Sequence, residues 1–232
     1  MPELLHPILI LLIGLATGFV DGTVGGGGLL SIPSLMLLGL PPQVAIATDR
    51  LGSLGETLAS LSKYAKAKKI VWKYVPPLII LAIFNSFLGA KILFTIDPAT
   101  VQKIVSALIL VLLPLIFIKP NLGLEQIATS KWKKIIGFII YFLLMILAAT
   151  FGAGVGPLVA YAFMYFFGFT MITASATKIL PYFFLSVSSV AIFARHGLID
   201  YKNGVIFLIG MTIGGYLGAH TALQKGDRWV KR

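Results

Sequence analysis

The sequence predicts an all-α integral membrane protein, built as an inverted repeat of two four-segment helical units joined by an extra helix, with broken helices at glycine-rich runs. Three observations support this fold class. Hydrophobic residues make up 58% of the 232 residues and charged residues 12%, whereas an ordinary soluble domain carries about 25% charged residues. Several apolar stretches reach the roughly 20 residues that a helix needs to cross a bilayer. The second half of the chain also repeats the first at a constant offset.

Nine apolar segments follow one another along the chain and leave no room for a separate soluble domain. Runs such as Leu108 to Phe117 are apolar on every face, whereas the strands of a membrane barrel alternate apolar and polar residues, so helices are favoured. The second and seventh segments are short, and they either span the membrane or re-enter it as hairpins with their predecessors. The segments are Leu4 to Val20, Leu29 to Leu38, Val44 to Leu61, Val75 to Phe94, Val101 to Ile118, Ile135 to Ala149, Leu158 to Phe167, Ile172 to Phe193 and Val205 to Leu223.

The basic residues predict how the chain is oriented in a plasma or inner membrane. They cluster in the loop Lys63 to Lys73, in the loop Lys119 to Lys134 and in the C-terminal stretch Lys225 to Arg232. Cytoplasmic loops carry an excess of Lys and Arg, and the number of crossings places all three clusters on one side. We therefore expect the N-terminus outside and the C-terminus in the cytoplasm. The net charge of +11 is attributed to this topology and to lipid headgroups rather than to nucleic acid.

The internal repeat has an offset of 129 residues. Five segments precede the second copy, so it enters the membrane inverted, and the result is the same if the short segments re-enter. We assign residues 1–98 to the first repeat, 99–130 to a linker helix and cytoplasmic loop, and 131–232 to the second repeat. Inverted repeats are typical of transporters that expose one site alternately to each side, although a duplication can also serve stability alone. Matched positions include Gly25 with Gly154, Gly39 with Gly168, Thr48 with Thr177 and Gly89 with Gly218.

Two glycine-rich runs interrupt the apolar segments, Gly22 to Gly28 in the first repeat and Gly152 to Pro157 in the second. Neither run can form a regular helix, and the helix that follows directs unpaired N–H groups and its positive dipole end back at the run. Two such ends facing each other would form an anion site. Tight packing of glycines and a simple turn outside the membrane are the alternatives. A nucleotide-binding loop is disfavoured because no strand precedes the run.

Asp49, Arg50, Glu56 and Lys178 lie within apolar segments, whereas Lys91 and Lys103 lie near segment ends and are attributed to snorkelling toward the membrane surface. Ionisable groups inside a membrane are costly and usually face partners, cavities or transport pathways. The repeat offset makes Asp49 and Lys178 equivalent, and equivalent positions near a two-fold axis can meet. The alternative is that Asp49 pairs with Lys178, or Arg50 with Glu56, only to fix the packing.

These features together predict an anion site between the repeats. Asp49 and Glu56 are the candidates to carry a coupling proton. Asp21, beside the first glycine run, either binds a proton or caps the chain break. The residues predicted to bind the substrate are Gly25, Gly26, Gly27, Thr48, Arg50, Gly154, Gly156, Thr177 and Lys178.

An enzyme is disfavoured. The chain has no cysteine, which excludes a cysteine nucleophile and thiolate metal sites, and its three histidines are scattered without metal-ligand spacing. It also lacks the G-x-S-x-G and H-E-x-x-H patterns of hydrolases and metalloproteases. We predict no catalytic residue, metal or cofactor. A membrane scaffold subunit and a homo-oligomer both remain open.

Several of these residues, in this order, resemble the motifs of the sulfite exporter TauE/SafE family, also called the four-toluene sulfonate uptake permease family. The resemblance covers essentially the whole chain and implies transport of small sulfur-containing anions such as sulfite or organosulfonates, often by export. Family members commonly carry a small polar residue after the threonine, where this chain has Asp49-Arg50. The motifs are Gly18-Phe19, Gly22-x-x-Gly25-Gly26-Gly27-Gly28, Pro33, Gly39, Ala45-x-Ala47-Thr48 and Tyr64 to Trp72, and they recur in Thr150 to Gly156, Ala174 to Lys178 and Arg195 to Tyr201.

Residues and resemblance together predict a secondary transporter that moves such anions by alternating access, in the direction of export and with protons as the candidate coupling ion. Two alternatives stay open at this point. The protein is a carrier for another small solute, or it is a membrane scaffold without transport activity.

Overall fold

The structure is a computed structural model that describes residues 5–115, 122–152 and 154–230, without the side chains of residues 112–115. Within these ranges all regular secondary structure is helical, and there is no strand. The predicted fold class, an all-α membrane protein, is confirmed. The helices are α1 (Leu5–Thr23), α2 (Gly28–Leu37), α3 (Pro42–Lys66), α4 (Val75–Thr95), α5 (Pro98–Leu115), α6 (Lys131–Phe151), α7 (Val155–Ala162), α8 (Met171–Arg195), α9 (Tyr201–Lys225) and α10 (Asp227–Val230).

Each of the nine predicted apolar segments coincides with one of the helices α1 to α9. In the described part of the chain, five helices are long and apolar enough to cross a membrane: α1, α4, α6, α8 and α9. The helix α3 has 25 residues as well, but its buried charged residues lower its hydropathy. A π-helical turn, Phe163–Phe167, continues α7.

Several helix ends differ from the prediction, and two of them have clear local reasons. The helix α3 continues past Leu61 to Lys66, with Lys63 and Lys66 in its last turn, where positive charge is favourable because it opposes the negative end of the helix dipole. The helix α9 begins at Tyr201 because the Asp200 side chain accepts a hydrogen bond of 3.1 Å from the Asn203 backbone N–H, which caps the helix start.

Some predicted features lie outside the described residues. They are the end of the fifth apolar segment beyond Leu115, the basic residues Lys119, Lys231 and Arg232, and Ala153 of the second glycine run.

The packing of the helices is the same when the two halves are exchanged. If α1 to α4 correspond to α6 to α9, the contact of α1 with α9 corresponds to that of α6 with α4, and the contact of α3 with α9 corresponds to that of α8 with α4. The remaining large contact, α3 with α8, corresponds to itself. The fourth helix of each half therefore packs mainly against helices of the other half.

The backbone repeats at the helix ends too. Left-handed φ angles are rare for residues other than glycine, yet three pairs of residues 129 positions apart share them. This agreement is what a duplicated unit requires, while the inverted orientation and the repeat boundaries stay predictions. The pairs are Gly25 (φ +81°) with Gly154 (+69°), Gly39 (+98°) with Gly168 (+73°), and Lys68 (+54°) with Gly197 (+64°).

The contact between α1 and α9 is formed by backbone against backbone. Each helix carries three glycines spaced four residues apart, and such spacing lets membrane helices approach closely. A Cβ atom added to Gly18 would lie 2.7 Å from the Cα of Met211, and one added to Gly22 would lie 2.5 Å from the Gly215 carbonyl oxygen. The glycines are Gly14, Gly18 and Gly22 on α1, and Gly210, Gly214 and Gly218 on α9.

The linker helix α5 covers one side of the first half. Its Val101 and Val105 are buried in an apolar cluster with Ile32, Ala90 and Leu93 of that half. At the repeat offset of 129 its first residue, Pro98, corresponds to Asp227, where the short helix α10 begins, and the described residues end at Val230. The role of α5 as an extra helix between the repeats stays a prediction.

Candidate functional site

A cavity of about 40 Å³ lies where the charged stretches of α3 and α8 meet the two glycine runs. One water needs about 10–15 Å³ on this scale, so the cavity holds about three waters or one small ion. Six residues predicted from the sequence line it together: Gly25, Asp49, Arg50, Glu56, Gly156 and Lys178.

The helix breaks at the two glycine runs touch each other at this cavity. A Cβ atom on Gly156 would overlap the carbonyl oxygen of Gly25, and one on Gly25 would overlap the Lys178 side-chain nitrogen. Gly25 also has a φ of +81°, which L side chains rarely adopt. Only glycine at both positions lets the two breaks and the lysine approach so closely.

Lys178 joins the two breaks. Its side chain on α8 is 3% exposed, and its ammonium donates hydrogen bonds to the Val24 carbonyl at 2.8 Å and to the Gly156 carbonyl at 3.1 Å. These bonds use two of the three ammonium hydrogens. No carboxylate oxygen of the described residues lies within 4.0 Å of this nitrogen, so the Asp49–Lys178 ion pair left open by the sequence is not formed here.

Arg50 contacts the C-terminal end of α6. The guanidinium, on a side chain that is 3% exposed, donates through Nη2 to the Ala148 carbonyl in the last turn of α6. The same carbonyl also accepts a hydrogen bond of 2.9 Å from the Gly152 backbone N–H. Its Nε is buried and has no hydrogen-bond partner in the described part of the chain. Arg50 forms no ion pair with Glu56 there either. Both intramembrane cations therefore contact backbone oxygens instead of carboxylates.

The three carboxylates at the cavity each have a neutral partner. Asp49 Oδ1 accepts a short hydrogen bond of 2.5 Å from the Ser31 hydroxyl on α2. Glu56 Oε1 lies 2.7 Å from the Ser60 hydroxyl oxygen, one turn further along α3. Asp21 Oδ1 accepts from the Gly27 backbone N–H at 2.7 Å, so the structure shows the capping contact that was one of the two roles considered for Asp21.

Five of the predicted residues lie away from the cavity lining: Gly26, Gly27, Thr48, Gly154 and Thr177. The Thr48 hydroxyl accepts from the Asp200 backbone N–H at 3.3 Å, and the Thr177 hydroxyl accepts from the Val71 backbone N–H at 3.1 Å. Both threonines thus contact the loop in front of a fourth helix, α9 or α4, in the opposite half.

Comparison with known proteins decides the family. The family model described as sulfite exporter TauE/SafE matches residues 10–232. The chain belongs to the sulfite exporter TauE/SafE family. It is therefore a multi-pass membrane transporter protein.

Three relatives of this TauE/SafE chain carry transporter names. A probable membrane transporter protein of Haemophilus influenzae is 27% identical over 96% of this chain and 88% of its own length. A protein of Sinorhizobium sp. named probable membrane transporter protein ORF9 is 30% identical over 92% of this chain and 82% of its own. The probable membrane transporter protein YfcA of Escherichia coli is 24% identical over 96% and 83%. No solved structure gives a significant match.

Seven residues that line the cavity of this TauE/SafE protein were not among the predicted substrate-binding and proton-coupling residues. They are Asp21, whose role was left open, and Gly28, Ser53, Thr57, Gly152, Ile179 and Tyr182. Helical spacing could have found the polar ones, because Ser53 and Thr57 follow Asp49 at intervals of one turn. Tyr182 follows Lys178 by one turn in the same way, but an aromatic residue in an apolar helix usually indicates packing.

Proposed function

We propose that this protein is a secondary transporter that exports small sulfur-containing anions, sulfite or organosulfonates, by alternating access and with proton coupling. One observation supports it above the others. Two buried cations, Arg50 and Lys178, border a cavity between the halves, and no carboxylate among the described residues lies within 4.0 Å of either.

The unused donors of these cations favour an anionic ligand. A buried charge is costly unless it is paired, and among the described residues each cation donates hydrogen bonds only to neutral backbone oxygens. Lys178 retains one ammonium hydrogen, and Arg50 retains Nε–H together with further guanidinium hydrogens. A small oxyanion carries several acceptor oxygens and negative charge, so it matches these donors. The family description, sulfite exporter, supports a sulfur oxyanion.

The fourth helix of each half packs against helices of the other half, and this arrangement supports alternating access. One bundle contains α1, α3 and α9, the other contains α4, α6 and α8, and the two meet where α3 contacts α8. The cavity residues of α3 and α8 lie on the two sides of that contact. Rocking of the bundles about it would open the cavity first to one face of the membrane and then to the other, with the C-terminus on the cytoplasmic side.

Glu56 is the better placed of the two proton-coupling candidates. The Ser60 hydroxyl oxygen lies 2.7 Å from Glu56 Oε1 and 3.0 Å from the Gly215 carbonyl, but a hydroxyl has only one hydrogen to donate. A protonated Glu56 satisfies both contacts, because it donates to Ser60 while Ser60 donates to Gly215. An ionised Glu56 leaves one contact without a hydrogen.

The charge of the cavity explains why transport of the anion would be coupled to protons. Three carboxylates, Asp21, Asp49 and Glu56, face two cations, so an arriving anion would add negative charge to a site that already has an excess of it. Buried net charge is costly. Protons bound at Glu56 and Asp49 would offset the charge of the anion, so anion and proton would move together.

The test is flux into proteoliposomes of the purified full chain. Radiolabelled sulfite is compared with sulfate and with several organosulfonates, with and without a pH gradient. Lys178→Gln is compared with Lys103→Gln, since Lys103 is an exposed lysine on α5. We expect saturable flux that Lys178→Gln abolishes and Lys103→Gln preserves. Inside-out membrane vesicles that accumulate sulfite would support export.

Three results would contradict the proposal. Saturable flux of a neutral or cationic solute, without anion flux, would identify a carrier for another solute. The absence of any flux from folded protein would favour a scaffold. Equal anion flux in the Lys178→Gln and Lys103→Gln proteins would remove Lys178 from the site.

A further inference from the structure

We propose that the Tyr182 hydroxyl donates a hydrogen bond directly to the transported oxyanion, as the neutral member of a donor set with Arg50 and Lys178. This inference rests on the proposed function. It adds a residue that neither the sequence motifs nor the family description identifies.

The position of Tyr182 supports a direct contact. It lies on α8 four residues after Lys178, so both side chains share one face of the helix, and both line the cavity. The Lys178 ammonium lies 5.8 Å from the centre of the Tyr182 ring. An anion held by the ammonium would therefore be close to the phenol.

The hydroxyl of Tyr182 is buried and has no hydrogen-bond partner among the described residues. Tyrosine hydroxyls usually find a partner when they are buried, and an unpaired buried group is destabilising. The second orphaned donor at the same cavity is Arg50 Nε. Two residues that line one cavity thus each carry an unpaired donor, and together these donors fit an acceptor with at least two acceptor atoms.

Other buried hydroxyls without partners do not share this arrangement. Thr129, in the loop before α6, also has an unpaired hydroxyl oxygen, as do the helical residues Thr17, Ser175, Ser186 and Ser189, but none of them lines the cavity. Serine and threonine hydroxyls in membrane helices can rotate toward the carbonyl of the preceding turn. A tyrosine hydroxyl stands at the far end of a rigid ring and has no such local alternative.

Tyr141 provides a matched control. It is a second buried tyrosine, on α6, but its hydroxyl donates to the Leu78 carbonyl at 3.2 Å and it does not line the cavity. Tyr182→Phe and Tyr141→Phe remove the same oxygen atom. They differ in whether that oxygen has a protein partner.

The experiment measures sulfite flux in proteoliposomes and thermal melting of the ligand-free proteins. For Tyr182→Phe we expect KM for sulfite to rise about tenfold, which corresponds to about 1.4 kcal/mol and fits a hydrogen bond to a charged group. We expect its melting temperature to be unchanged or higher, because no protein hydrogen bond is lost. Tyr141→Phe should show the reverse, a wild-type KM and a lower melting temperature.

Each other outcome overturns the inference. An unchanged KM in Tyr182→Phe, with saturable flux in the wild type, refutes the role of Tyr182 and leaves the proposed function intact. Failure of Tyr182→Phe to fold, or a loss of melting temperature as large as that of Tyr141→Phe, shows that the hydroxyl has a structural partner. Absence of saturable anion flux in the wild type refutes the proposed function and this inference with it.

Discussion

Thr48 and Thr177 accept equivalent hydrogen bonds from opposite halves of the protein, Thr48 from the Asp200 backbone N–H at 3.3 Å and Thr177 from the Val71 backbone N–H at 3.1 Å. The acceptors are 129 residues apart in the sequence, and so are the donors. Each bond connects the third helix of one half to the loop that precedes the fourth helix of the other.

Replacing either threonine by valine should lower stability without changing substrate affinity. Thr48→Val loses one hydrogen bond, about 1 kcal/mol, and Thr177→Val also loses the bond of 2.7 Å that its hydroxyl donates to the Thr173 carbonyl. Neither side chain lines the cavity. Thermal melting in detergent and the KM for sulfite measure the two effects. The control is Thr221→Val, because the exposed Thr221 hydroxyl bonds only to Leu217 in its own helix, at 2.8 Å. A large rise in KM for Thr48→Val or Thr177→Val would instead indicate that these hydroxyls reach the substrate.

Gly25→Ala should abolish saturable flux, whereas Gly39→Ala should only reduce stability. Both glycines have positive φ, +81° and +98°, so alanine at either position is strained by about 1–2 kcal/mol. A Cβ at Gly25 would also overlap the Lys178 ammonium, but one at Gly39 meets nothing within 4 Å. Sulfite flux and melting temperature of both variants separate steric blocking from backbone strain. Equal flux in the two would contradict a cavity that depends on close approach at Gly25.

Arg50→Lys should raise the KM for sulfite at least tenfold although it keeps the positive charge. Lysine has no Nε–H and no planar fork of donors, and the unpaired Nε of Arg50 is one of the donors assigned to the anion. Flux kinetics measure the change. Arg195→Lys, at an exposed position at the end of α8, is the control and should behave as the wild type. Full activity of Arg50→Lys would show that charge alone suffices.

Glu56→Gln should fold normally and lose the response of sulfite flux to a pH gradient. Glutamine resembles the protonated acid, because its amide can donate to Ser60 while Ser60 donates to Gly215. It cannot release a proton. The measurement is the ratio of flux with and without the gradient, and Glu125→Gln, at an exposed position, should keep the wild-type ratio. An unchanged ratio in Glu56→Gln would show that Glu56 does not carry the coupling proton.

Much of the fold was predictable because the membrane restricts the choices. Apolar length alone located α1 to α9, and the rarity of charge in such segments selected Asp49, Arg50, Glu56 and Lys178, which the structure brings to one cavity. Positive φ angles restrict the choice of residue in a similar way, because they favour glycine. The matched glycines Gly25 and Gly154 both have such angles.

The remaining features depend on neighbours that no pattern specifies. Thr48 and Thr177 occur beside charged residues in the sequence, yet a helix turns adjacent side chains by about 100°, so they face the opposite half and not the cavity. The hydrogen-bond partner of a buried lysine cannot be predicted from the sequence either, because every residue has a backbone oxygen. Nothing in the residue types indicates that Lys178 contacts the Val24 carbonyl.

The packing of each fourth helix against the other half has a consequence for biosynthesis. The helix α4 is made before α6 and α8, against which it mainly packs, and α1 is made long before its partner α9. Chains emerge from the ribosome N-terminus first, so α1 and α4 are translated before the helices of the second half that they mainly contact. Translation of the first half alone therefore cannot complete its native packing, which closes only once α9 has been made.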